Sequence, residues 1–206
     1  MEEKLLAIAD EVIALSASNE QIEVIAVHDQ ETDIRVYKGE LESFTASESQ
    51  GVGIRVVQDG RQGMAYAGSL DMEILKETLS EARDNATFGT FDEMLQIAEP
   101  DNVEPISLDL YNPALKEFAT EDKITLAKEL EEYIMKSDER IVGVESSEYV
   151  DSISASAIVT SSGIRRSSYD GGCYIAGSSL ASDGKDMQTG FGSVSYTHLT
   201  LPTTEA

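Results

Sequence analysis

The stretch VQDGRQGMAYAGS, residues 57–69, is echoed far down the chain by ASDGKDMQTGFGS, residues 181–193. Each holds an Asp-Gly dipeptide, then a basic residue, Arg61 or Lys185, and closes on Gly-Ser. Asp-Gly is a hairpin signal: glycine takes a positive φ without steric cost, and Asp stabilises the turn with its own backbone bonds. A displacement of 124 positions carries Asp59-Gly60 onto Asp183-Gly184. Without a gap it also carries Ile34 onto Ile158, Gly39 onto Gly163, Ser43 onto Ser167 and Gly53 onto Gly177. The turn therefore marks a duplicated unit rather than an isolated loop.

The flanks repeat as well. Residues 2–16 place Leu5, Ile8, Val12 and Leu15 on one helical face. Period-two stretches follow at 22–26, 32–37, 41–47 and 51–57, separated by polar segments at 29–31 and 38–40, and the strand at 63–68 returns from Asp59-Gly60. The first two stretches read as a hairpin. A second helix follows, with Ser69 or Asp71 as its N-cap and Ile74, Leu75, Thr78, Leu79, Ala82 and Ala86 on its buried side. Residues 89–119, broken by Gly89, Pro100, Pro105 and Pro113, read as a connector. Thr120 is then expected to cap a third amphipathic helix over 121–137, with Ile124, Ala127, Leu130 and Ile134 inward and Glu129, Glu131 and Glu132 elsewhere on its circumference. Short strands are expected at 141–144, 151–160, 163–169, 173–181 and 187–196.

The predicted fold class is α+β, two repeats of a helix plus antiparallel strands around a shared core. The first repeat with its following helix occupies 1–88, the connector 89–119 and the second, truncated repeat 120–194. Residues 195–206, SYTHLTLPTTEA, abandon the acidic style of the rest and show no cap, core period or turn logic. They resemble an adapter-derived tail and are read as non-native, so His198 within them is set aside.

Composition restricts the function. Of 206 residues, 41% are apolar and 6% aromatic, with no Trp, which gives a mainly aliphatic core. The net charge of −24, from 15 basic and 39 acidic residues, repels phosphate backbones, and Arg165-Arg166 is the only basic pair. Direct nucleic-acid binding is not expected. A single cysteine, Cys173, excludes an intrachain disulfide, fits a reducing compartment and reads as a small buried hydrophobe. The N-terminus lacks the pattern of a signal peptide, and no run of about 18 apolar residues offers a membrane span. A cytoplasmic location is the default.

The residues themselves supply no catalytic constellation. His28 reads as an exposed strand-end residue, and no HExxH-like helix is present to build zinc coordination. Ser146-Ser147, Ser161-Ser162 and Ser178-Ser179 lie outside any GxSxG elbow. Gly51-Val-Gly53 leads into a strand instead of following one and opening a helix, unlike a dinucleotide fingerprint. The stretch 183–186 lacks the alternating ligands of a calcium loop, and the pair Glu131 and Glu132 reads as exposed helical acids. No catalytic, cofactor-binding or metal-binding residue is assigned.

Taken together, GVGIRVVQDGRQGMAYAGSLD (51–71), ISLDLYNPAL (106–115), KSDERI (136–141) and SDGKDMQTGFG (182–192) resemble the N-terminal half of the TldD/PmbA family, also labelled modulator of DNA gyrase. The LDLYNP connector and the DM-containing return strand look closer to the PmbA branch, also called TldE. The resemblance implies a cytosolic heterodimeric metalloprotease acting on peptides. Its zinc motif belongs to the TldD-like partner subunit and lies beyond the part matched here, so the PmbA-type subunit completes the substrate chamber without catalysing. The hairpins at Asp59-Gly60 and Asp183-Gly184 are candidates for its border. Two alternatives remain at this stage: the corresponding part of a catalytic TldD-type zinc subunit, or a non-enzymatic α+β binding module.

Overall fold

The structure is a computed structural model and describes residues 1–101, 103, 106 and 108–196. Helix α1 (Glu2–Ile13) leads into β1 (Glu20–Tyr37), β2 (Glu40–Gln58) and β3 (Arg61–Ala67), followed by α2 (Met72–Phe88). After the connector come α3 (Ala114–Glu117), α4 (Thr120–Ser137), β4 (Ile141–Thr160), β5 (Arg165–Ser182) and β6 (Met187–Tyr196). The strands form one antiparallel sheet in the order β3-β2-β1-β4-β5-β6. Helix and meander thus occur twice, and each meander runs outward from the central β1 and β4. The 124-residue displacement lays β2 on β5 to within one residue at the start and none at the end.

The strands are longer than their hydrophobic pattern suggests. The expected hairpin of 22–26 and 32–37 is one continuous strand, and the stretches at 41–47 and 51–57 are likewise one. Gln30 and Glu31 are exposed, as is every residue from Glu40 to Gln50. Where no core covers a strand, no inward face demands apolar residues, and the backbone ladder alone continues it. Thr120 does not cap its helix either; it is the first helical residue, and Ala119 stands at the cap without a side-chain bond. Asp71, by contrast, accepts from the amides of Glu73 and Ile74.

The two hairpin turns differ in length. Gln58 pairs with Arg61, so Asp59-Gly60 is a two-residue turn with both φ values positive, 51° and 67°. That is the primed geometry matching strand twist. Ser182 pairs with Met187, which leaves four residues in the second turn. There the Asp183 carboxylate accepts from the amides of Lys185 and Asp186, each at 2.9 Å, and these bonds hold its pKa below the usual range. Of the adapter-like tail, Ser195 and Tyr196 belong to β6 and the remainder lies outside the described residues.

The chain groups into two compact units that cut across the repeats. The first comprises Met1–Asp29, Glu48–Leu108 and Ser154–Tyr169. Leu5, Ala9 and Val12 of α1 and Leu75, Leu79 and Ala82 of α2 seal the inward face of the sheet, where Ile22, Val24, Ile54, Val56, Ala155 and Ala157 are buried. Each fully buried Leu, Ile or Val there contributes about 1.5–3 kcal/mol. Helix α2 rests on bare backbone: a Cβ on Gly63 would stand 2.1 Å from the carbonyl oxygen of Ala82. Arg83 of α2 pairs with Glu20 at 2.6 Å and also donates to the Leu15 carbonyl.

The second unit comprises Gln30–Ser47, Asp109–Ile153 and Asp170–Ala206. Here α4 covers β4 and β5. A Cβ on Gly177 would lie 2.3 Å from Ile134 Cδ1, and Ser147 donates to the Ala127 carbonyl at 2.7 Å. The most deeply buried residues of α4 are Lys123, Ala127 and Glu131, four apart on one face, whereas the expected Ile124, Leu130 and Ile134 are half-buried. Two of those three carry charge, so this face is held by specific polar partners.

Candidate functional site

The second unit contains a buried polar cluster. Tyr149 and Asp151 are two apart on β4 and point to the same face, with Lys123 of α4 above them and Cys173 of β5 beside them. Lys123 Nζ lies 2.5 Å from Asp151 Oδ2 and 5.7 Å from the centre of the Tyr149 ring. Phe118 meets that ring edge-on, with centroids 5.8 Å apart. The Tyr149 hydroxyl faces Asp151 and Cys173 without a well-formed hydrogen bond. Burial first, then the Asp151 charge, pushes the phenol far above its ordinary pKa, and burial likewise raises the Cys173 thiol. A nucleophile needs the opposite: a lowered pKa or an adjacent base. The cluster holds α4 to the sheet and does not provide a reactive centre. Cys173 is buried, in keeping with its reading as a small core residue.

A groove lies along the other end of α4, lined by Tyr37, Lys38 and Gly39 of the β1–β2 turn, by Lys128 and Met135, and by Val142 at the start of β4. Glu131 organises it. Its two carboxylate oxygens accept separately from the amides of Lys38 and Gly39, both at 2.6 Å. Those two residues have φ of 54° and 76°, and their amides point outward from the turn toward the carboxylate. Glu131 is thus buried and bound, contrary to its reading as an exposed helical acid. Charge periodicity on the helix gives no sign of this, because its partner is backbone more than ninety residues away. The groove sets Lys38 and Lys128 beside Glu132 and Glu145, so its charge is mixed, and its lining includes neither histidine nor cysteine.

In the first unit His28 is also a correction. It is 8% exposed, lies within β1, and its Nε2 stands 2.6 Å from Glu48 Oε1. The Asp59-Gly60 tip packs against the connector: Gly60 accepts from the Asp92 amide at 2.8 Å, and a Cβ on it would meet the Phe91 ring at 2.6 Å. Asp183-Gly184 is open, with no atom within 4 Å of a Cβ at Gly184. Of the paired serines, Ser161 accepts from the Ile22 amide and Ser147 bonds Ala127, both tying backbone together.

Two family models match the chain in series: PmbA/TldA metallopeptidase domain 1 over residues 22–86, and the PmbA/TldA metallopeptidase central domain over residues 113–205. The chain belongs to the PmbA/TldD family. Solved structures of similar fold include TldE from Thermococcus kodakarensis, with 18% identity, a TM-score of 0.77, and coverage of 97% of this chain and 43% of that one. A proposed modulator of a DNA gyrase from Thermotoga maritima aligns at 19% identity and TM-score 0.75, covering 92% and 42%. Another from Bacteroides thetaiotaomicron aligns at 18% and 0.75, covering 94% and 44%. At these identities the likeness shows the fold. The PmbA/TldD chain described here spans 42–44% of the length of these structures. A search of curated proteins finds no match.

A metallopeptidase metal needs three or four convergent ligands. Among the described residues no group of three or more His, Cys, Asp or Glu side chains is placed to hold one, so these residues do not fit a metal centre. No helix of the described residues is long and apolar enough to cross a membrane.

Proposed function

We propose that this chain is the N-terminal part of a PmbA/TldE-type subunit in a cytosolic TldD/PmbA-type metalloprotease complex acting on peptides. The subunit frames the substrate chamber, and a TldD-like partner supplies the zinc. The observation that carries this reading is the ordered match of two consecutive metallopeptidase-family domains, domain 1 over residues 22–86 and the central domain over residues 113–205. The similarity to TldE and the PmbA-like sequences at 106–115 and 182–192 favour the non-catalytic branch. In the partner, zinc would activate a water for attack on a peptide carbonyl. This chain's residues would contribute binding surface and orientation.

The test is co-expression of the full-length protein with a TldD-like chain from the same genome. Co-purification, zinc in the pair but not in the isolated subunit, and peptide cleavage only by the pair are expected. Zinc and cleavage in the isolated full-length subunit would instead identify a catalytic TldD-type chain. Failure to associate, with no effect on the other chain's peptidase activity, would favour a free-standing binding module.

A further inference from the structure

The mixed charge of the groove between α4 and the β1–β2 turn is not balanced. Each carboxylate in its lining already accepts a hydrogen bond from within the chain. Glu131 takes the Lys38 and Gly39 amides, Lys136 donates to Glu132, and the Ser178 hydroxyl donates to Glu145 at 3.2 Å. The ammonium groups are not matched in this way. Lys76, Lys123 and Lys136 each sit against an acid, but among the described residues neither Lys38 nor Lys128 forms an ion pair. Lys38 Nζ lies instead 5.0 Å from the centre of the Tyr37 ring. In a chain with 39 acidic and 15 basic residues, two lysines without an acid partner therefore face one groove. Beside them the lining is apolar, with Tyr37, Met135 and Val142 exposed. The groove has a volume of about 840 Å³, within the range of about 300–1,000 Å³ usual for small-molecule sites.

We propose that this groove binds a monocarboxylate with an apolar body, the carboxylate taken by Lys38 and Lys128 and the body laid against Met135 and Val142. The charge of the ligand follows from its surroundings. A compact ammonium acts as a point charge and accepts a single carboxylate without the fork geometry that arginine imposes. A dianion such as phosphate meets the repulsion of Glu131, Glu132, Glu145 and the whole acidic chain twice over. Lys38 is also held ready: Glu131 fastens its backbone and that of Gly39, so the turn is ordered before any ligand arrives. The same chemistry is offered by the C-terminal carboxylate of a peptide ending in an apolar residue and by a free alkyl acid. Binding by this chain alone is at issue, so the proposal stands or falls apart from the peptidase reading.

The full-length protein, isotope-labelled at its methionine methyl groups, is titrated by NMR with N-acetyl-glycyl-leucine, with the C-terminal amide of that compound, with isocaproate and with inorganic phosphate. The dipeptide acid is expected to move the Met135 signal, assigned through Met135→Leu, to saturation. Met64, exposed in the first unit, should stay in place, and neither the amide nor phosphate should saturate. Isocaproate binding as well as the dipeptide acid upholds a site for apolar carboxylates in general, and its failure to bind upholds a site for peptide C-termini. Lys128→Gln is expected to weaken binding about fivefold, and Lys38→Gln together with Lys128→Gln about tenfold or more. Lys185→Gln, which removes an exposed lysine from the β5–β6 turn, should change it by no more than about twofold. An unmoved Met135 signal, equal response to acid and amide, tighter binding of phosphate, or undiminished binding by the doubly substituted protein overturns the proposal.

Discussion

At the scale of single residues, the buried charges carry the most testable content. Glu131 satisfies two turn amides at once, and hydrogen bonds to a charged group are worth roughly 1.5–3 kcal/mol. Glu131→Ala is therefore expected to lose about 2–3 kcal/mol in urea denaturation, and Glu131→Gln, whose amide offers one acceptor oxygen instead of two, to lose less. Glu20 gives a pH dependence. The hydrogen bond from Arg83 is the main cause of its lowered pKa. A carboxylate depressed in the folded state contributes stability that is present above its unfolded pKa and is lost as pH falls through the folded one. Arg83→Met should consequently destabilise the protein at pH 7 and flatten the acid limb of the stability curve below the ordinary carboxylate range, measured as denaturation midpoints from pH 7 down to 3. An unchanged acid limb would show that Glu20 does not hold this share of stability. Neither role is visible in the sequence: Glu20 reads as one acid among 39, and Glu131 as part of a solvated helix face. A buried charge is defined by partners brought from elsewhere in the chain, which helical or strand period does not report.

At the scale of elements, amphipathic order and turn chemistry were legible, while strand length and one cap were not. Asp59-Gly60 and Lys38-Gly39 declare themselves because a positive φ at successive residues admits few residue types. Strand continuity through Gln30 and Glu31 does not, because alternation reports burial and these residues are exposed. The caps provide a paired test. Asp71→Ala removes two hydrogen bonds at the start of α2 and should cost about 1 kcal/mol, whereas Thr120→Ala, which loses no cap, should stay within about 0.5 kcal/mol. Equal costs in guanidinium titrations would return Thr120 to the capping role its sequence suggests. Gly63→Ala is the stronger perturbation. Its methyl would stand 2.1 Å from the Ala82 oxygen and 2.2 Å from the Ala86 nitrogen, both backbone atoms of α2. The helix must shift, so a loss of about 3 kcal/mol is expected, with the near-backbone contact and not strand propensity as its source.

At the scale of the whole molecule, the duplication was legible in the turns, yet the inward faces follow a different offset. The displacement of 124 aligns Gly39 with Gly163 and Asp59 with Asp183. Even-numbered residues are buried along β1, however, and odd-numbered ones along β4 beyond Ser147, so an even displacement cannot superpose their buried faces. The phase changes between Val144 and Ser147, where two residues separate buried positions instead of one. The acid surplus was equally plain from composition, and its energetic consequence can be signed. Arg55, Lys123 and Arg165 already sit against Glu23, Asp151 and Asp10, as Arg83 does against Glu20. The carboxylates beyond these pairs therefore repel one another over a screening length that falls from about 30 Å at 0.01 M salt to about 10 Å at 0.1 M. Exposed ion pairs worth about 0–1 kcal/mol each weaken over the same range, but the buried Lys123–Asp151 pair does not. With a net charge of −24 the relieved repulsion should prevail, raising Tm when sodium chloride is increased between those limits. A fall in Tm across that titration would mean that the surface pairs, rather than the acid surplus, dominate the electrostatic stability of this fold.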